Sequence, residues 1–217
     1  MKKIIRKCTM LLVVSFVWAG LNAQTEFAPT GAEWHYNCCA NGNIIYSHLN
    51  HIVSEKDTII EENSCRVLKQ YQDNLNIASE KYILKQEQGK IYYYYQNRFN
   101  LLFDFDAEVN DIVEFTFRYK KYDDLSCKDT ILSARYQIES ITANTQNLKT
   151  FRTKILEEDK LVEYGIGILP GYYSYTEKIG FYSEFMPVLD NVPHPAVDNF
   201  SMLRCYSDAD FSFVSDE

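Results

Sequence analysis

A chain of 217 residues with 46% hydrophobic and 15% aromatic side chains has the material for a substantial core, which argues against a disordered protein. Its formal charge of −8 excludes the basic balance that nucleic-acid binding and adhesion to anionic membranes require.

The first 23 residues read as a secretory signal peptide. Lys2, Lys3, Arg6 and Lys7 form a basic n-region, Met10 to Ala19 is apolar, and Leu21-Asn22-Ala23 before Gln24 supplies small residues at a cleavable bond. The apolar run is shorter than the roughly 20 residues of a membrane span, so no span is expected once it is removed. Removing residues 1–23 from 217 leaves 194, expected to form one β-rich domain over 24–217, with 18 basic against 30 acidic residues and a formal charge of −12. The expected location is outside the cytoplasm, secreted or periplasmic.

Cys8 precedes the apolar run and is not placed to become a lipid-modified N-terminus. That leaves Cys38, Cys39, Cys65, Cys127 and Cys205 as disulfide candidates, an odd number for an oxidising compartment. A direct Cys38–Cys39 bridge is strained, and spacing does not choose among the other pairings. With His35, His48 and His51, the first two cysteines form a cluster of metal-like composition, since thiolate and imidazole suit zinc or copper. Histidines three apart on a strand face opposite sides, and the spacing matches no standard site. The reading is therefore disulfides with surface histidines, without a metal or cofactor.

Further along, Asp57 to Ile60 and Cys65 to Tyr71 flank Glu61-Glu62-Asn63-Ser64, and Tyr82 to Lys85 and Lys90 to Tyr95 flank Gln86-Glu87-Gln88-Gly89. Both pairs predict antiparallel hairpins. Alternation puts Tyr93 and Tyr95 on one strand face and Tyr92 and Tyr94 on the other. Phe99, Leu101, Phe103 and Phe105 alternate with polar residues, although Leu102 interrupts the polar side. On that alternation Asp104 and Asp106 share a face, spaced as the paired carboxylates of a glycoside hydrolase can be. The plainer reading is a solvated strand face. Val113 to Lys120 alternates throughout, with one face core and one wet. Asp123-Asp124 reads as a turn, and Phe151 to Leu156 with Leu161 to Ile168 predicts another hairpin across Glu157 to Lys160. Gly165 and Gly167 suggest a sheet bend or barrel corner.

Pro170 to Asn199 departs from this pattern: Pro170, Pro187, Pro193 and Pro195 punctuate it, and sustained alternation is lacking. It is expected to be one long irregular segment with a short helix around Phe181 to Leu189. Tyr172, Tyr173 and Tyr175 at its start are either packing residues or a recognition surface, since tyrosine joins a flat apolar face to a hydrogen-bonding tip. The abundance of Tyr, Phe, Thr, Ile and Val without helical periodicity makes the fold all-β, an antiparallel sandwich or barrel-like sheet.

Asp57-Thr58-Ile59-Ile60 followed by Cys65-Arg66-Val67-Leu68, Leu102-Phe103-Asp104-Phe105, Glu163-Tyr164-Gly165-Ile166-Gly167 and Leu203-Arg204-Cys205-Tyr206-Ser207-Asp208 resembles a group of uncharacterised secreted Bacteroidota proteins, many carrying a type IX secretion sorting domain. The resemblance implies an exported β-rich module and carries over no catalytic residues. Two departures stand out. Asn110-Asp111 occupies a place where Gly-Asp is common, a mild change because Asn also tolerates the left-handed conformation. The sequence ends at Glu217 with no room for a sorting domain, which puts the periplasm level with the exterior.

No Gly-x-Ser-x-Gly turn or Asp-x-Asp-x-Asp-Gly loop is present. The expected function is a non-enzymatic binding module for a glycan, small molecule or protein, with Tyr172, Tyr173 and Tyr175 as its ligand surface. The alternatives are a hydrolase with a carboxylate or Cys site, and a structural envelope protein.

Overall fold

The computed structural model describes residues 26–39, 47–72, 78–123, 126–156, 174–182, 188–190 and 201–214. These residues form strands and no helix: β1 Glu33–Cys39, β2 Ser47–Ile60, β3 Asn63–Gln72, β4 Ala78–Glu87, β5 Lys90–Tyr95, β6 Arg98–Asp104, β7 Ile112–Asp123, β8 Ser126–Ala143, β9 Lys149–Ile155, β10 Ser174–Thr176, β11 Gly180–Phe181, β12 Val188–Asp190, β13 Ser201–Ser207 and β14 Ser212–Val214. Eight of them form one sheet in the order β14-β13-β1-β2-β3-β4-β5-β6, and six form a second in the order β11-β10-β9-β8-β7-β12. The pairing is antiparallel except where β12 runs parallel to β7. The protein is therefore all-β, as its residue usage requires.

The long meander from β2 to β6 follows from tight turns. Glu61 and Glu62 (φ 49° and 64°), Gln88 and Gly89 (48° and 73°), and Gln96 and Asn97 (50° and 57°) are two-residue links with both central residues at positive φ. That signature matches the right-handed twist of the flanking strands. Two of the three predicted hairpins are thus present with shorter loops, because the strands extend to within two residues of each other, and the third, across 157–160, lies outside the described residues. At Gly89 a Cβ would lie 2.3 Å from the Asp106 carboxyl, so the turn needs glycine for space as well as for φ.

Rings of both sheets meet in one core. Phe103 packs on Phe105, Tyr175 and Phe181, and Tyr175 lies parallel to Phe151 with ring centres 4.9 Å apart. Three buried polar tips tie the sheets together: Trp34 Nε1 donates to Ile179 O at 3.1 Å, Tyr36 Oη to Phe181 O at 3.2 Å, and Tyr175 Oη to Asp104 O at 2.7 Å. Each satisfies a backbone carbonyl that would otherwise be costly to bury.

Alternation holds in β7, where Val113 and Phe115 are buried and Glu114 is exposed. In β6 it changes phase. Ile91 pairs with Phe103 and Tyr92 with Leu101, leaving Leu102 as the extra residue of a bulge. Leu102 and Phe103 are consequently both buried, whereas Phe99 and Leu101 are only half-buried, Leu101 packing against the core's margin, instead of filling the core as simple alternation predicts. Asn110, at φ 77°, occupies the left-handed conformation that Asn tolerates. Within 170–199 the described residues are short strands joined by a turn at 177–179, and Phe181, Val188 and Leu189, at the ends of the expected helix, are all in strands. Residues 157–173, including Gly165, Gly167, Tyr172 and Tyr173, lie outside the described residues, as does the N-terminal segment read as a signal peptide.

Candidate functional site

The outer face of the eight-stranded sheet carries two groups of side chains, one at each end. The first arises from strand register. β1 pairs with β2 so that His35 faces His51, with β13 so that His35 faces Cys205, and β2 pairs with β3 so that His51 faces Tyr71. Directly paired residues share a sheet face, so Cys205, His35, His51 and Tyr71 form a row across four strands. Glu33, two residues before His35, joins the same face. The two imidazoles are stacked, with centres 4.2 Å apart and planes 8° from parallel. Glu33 Oε2 lies 3.2 Å from His51 Nε2 and 3.5 Å from His35 Nε2.

Side-chain exposures of 27% for His35, 31% for His51 and 40% for Glu33 leave the group reachable from solvent. Burial, reinforced by the neighbouring His51 charge, holds the His35 pKa below its usual value despite Glu33, which favours the neutral, ligating form of the ring. Cys205 is a free, half-exposed thiol whose pKa burial pushes up, with the Glu33 carboxylate adding to the effect. Beyond His51, Tyr71 Oη donates to Glu55 Oε1 at 2.7 Å, and Glu55 also pairs with Lys69 at 2.9 Å.

The second group lies at the β4–β6 end. Tyr92 pairs with Lys85 and Leu101, and Tyr94 pairs with Phe99. The Tyr94 and Phe99 rings are 5.1 Å apart, and Lys85 Nζ lies 5.5 Å from the Tyr92 ring centre and 5.3 Å from that of Phe99. Tyr94 Oη donates to Glu61 Oε1 at 3.2 Å. The opposite face of β5 is core: Tyr93 is buried, its hydroxyl lacks a hydrogen-bond partner among the described residues, and burial pushes its pKa up to about 12.

A third feature is a surface pocket of about 160 Å³ lined by Glu26, Phe27, Asp57, Cys65, Arg66 and Lys85, among others. Its cations are already matched. Arg66 pairs with Glu26 at 2.9 Å, lies 2.8 Å from Asp57 without hydrogen-bond alignment, and donates to Thr30. Lys85 pairs with Glu87 at 2.7 Å.

Several residues singled out in the sequence have structural roles. Tyr175 has no exposed surface, and its ring stacking and hydroxyl bond make it a core anchor unavailable to a ligand. Asp104 and Asp106 do not form a solvated pair on one strand. Asp104 is buried at the end of β6, bound to Lys90 at 2.7 Å and accepting from the Asp106 backbone N at 3.1 Å, while Asp106 lies in the following turn. Cys65 and Cys205, both disulfide candidates, carry free thiols. The Cys65 thiol is buried, with its pKa raised by burial. The side chains of Cys38, Cys39, Cys127 and His48 lie outside the described residues, although the backbone of His48 pairs with that of Cys38. Glu33 went unnoticed in the sequence, because its link to His51 exists only through the β1–β2 register.

No protein-family model, curated protein or solved structure matches this chain, so its functional reading rests on these residues alone.

Proposed function

We propose that the protein is an exported, non-enzymatic binding module that takes a neutral glycan on the outer face of its eight-stranded sheet. The observation supporting this reading is the group of half-buried rings, Tyr92, Tyr94 and Phe99, held side by side by β5–β6 pairing. Such rings offer flat apolar area, and the Tyr94 hydroxyl with the Glu61 carboxylate supplies the polar rim that orients a ligand. The acidic balance of the chain favours a neutral ligand over an anionic one. Export, to the periplasm or beyond, is supported by the N-terminal pattern of basic, apolar and small residues. Tyr172 and Tyr173 belong to the same proposal as an additional contact surface, whereas Tyr175 does not.

A glycan array followed by calorimetry with the best ligand tests the reading. Tyr94→Ala and Phe99→Ala are each expected to weaken binding by at least about tenfold, the loss typical of a central aromatic contact. Unchanged affinity in both variants would remove this surface from consideration.

A further inference from the structure

At the opposite end of the same sheet face, the arrangement of Glu33, His35 and His51 carries an inference independent of the glycan reading. Their ligand atoms all lie within 4.8 Å of one another. Four ligands around zinc, at bond lengths of roughly 2.0–2.2 Å, stand about 3.3–3.6 Å apart. The separations of Glu33 Oε2 from the two Nε2 atoms, 3.2 and 3.5 Å, are already of that size. The two imidazoles stand stacked across adjacent strands, so ligation requires the rings to turn until both Nε2 lone pairs point at one ion. The backbone already places all three on one face, because Glu33 and His35 lie two apart on β1 and His51 is the direct cross-strand neighbour of His35.

The donor set narrows the metal. Two imidazoles and one carboxylate suit zinc and related divalent transition ions, while calcium and magnesium prefer oxygen ligands throughout. Three protein ligands with substantial exposure leave a coordination position facing solvent. Cys205 stands opposite His35 but falls outside the set of mutually close ligand atoms.

The geometry points to a solvent-facing binding site for a zinc-class divalent metal, formed by Glu33 Oε2, His35 Nε2 and His51 Nε2 on the outer face of β1 and β2. The bound ion has a free position for water or for a donor group of a partner molecule.

The test uses untagged, chelator-stripped protein titrated with zinc chloride and followed by calorimetry and native mass spectrometry. One ion per chain is expected. His35→Ala, His51→Ala and Glu33→Gln should each weaken binding by at least about tenfold, since even supporting residues around a metal are worth that much. Cys205→Ser and Phe99→Ala should bind as the parent does, and circular dichroism on every variant separates lost ligation from lost folding. Cobalt(II) absorption of the unsubstituted protein gives a second readout, expected to show nitrogen and oxygen ligation without a thiolate charge-transfer band. Absence of zinc uptake, uptake undiminished in the folded histidine variants, or a thiolate band would overturn the site.

Discussion

The two ends of the eight-stranded sheet's outer face differ in how the chain builds them. The aromatic end comes from one hairpin, with Tyr92, Tyr94 and Phe99 separated by a two-residue turn. The histidine end joins β13, β1, β2 and β3, so its row depends on partners from both ends of the described chain. Local assembly makes the first end insensitive to distant changes. The second also leans on the docking of β13, the outer ladder partner of β1.

The largest expected effect tests that dependence. Asp208, immediately after β13, accepts hydrogen bonds from Lys178 at 2.8 Å, Tyr206 Oη at 2.6 Å, and the backbone N atoms of Asp210 and Phe211. Asp208→Ala strands the nearly buried Lys178 ammonium and should cost about 3 kcal/mol, measured by chemical denaturation. It should also reduce zinc uptake more than glycan binding. Burial alone would raise the Asp208 pKa, but bonds from Lys178, Tyr206 and Asp210 outweigh it and hold the value below the ordinary 3.8. The stabilisation from its ionised form is therefore complete above pH 3.8 and fades as pH falls through the lower folded value. The stability gap between parent and variant should narrow across that acid range.

Next in size, Tyr175→Phe removes a buried hydroxyl bond and leaves the Asp104 carbonyl short of a donor, a loss of about 1–2 kcal/mol in denaturation midpoint experiments. Because Tyr175 belongs to neither end, glycan and zinc affinities should both persist. A loss of either, with folding intact, would return this tyrosine to a recognition role.

The smallest effect is a gain. Glu62 holds φ 64° in a turn that favours Asn-Gly, so Glu62→Gly should stabilise the β2–β3 hairpin by about 1 kcal/mol in thermal denaturation. Both binding activities should be unchanged.

The contrast also explains what was legible in the sequence. Period-two alternation identifies β7, and tyrosines on neighbouring positions of β5 sort correctly onto two faces, because both depend on local geometry. Simple alternation gives β6 the wrong phase, since one inserted residue, Leu102, reverses every side chain beyond it. The apparent Asp104–Asp106 pair failed for a related reason: the strand ends at Asp104 and the chain turns. Tyr175 carries no sequence mark separating a core anchor from a surface ring. The Glu33–His35–His51 group leaves no mark in the sequence, because spacing along one strand says nothing of ligands that meet across two. Listing the i, i+2 polar neighbours of each histidine and testing them against every antiparallel register would have brought Glu33 forward.

The pairing of β1 with β13 also bears on folding order. β1 is synthesised well before β13, its second ladder partner. Until β13 arrives, one edge of β1 presents open N–H and C=O groups able to recruit another chain. Closing contacts this far apart in sequence is slow, so the β1 edge is the point at which concentrated, partly folded protein should aggregate. Metal ligation by β1 and β2 would hold that hairpin together during the wait, linking zinc supply to refolding yield.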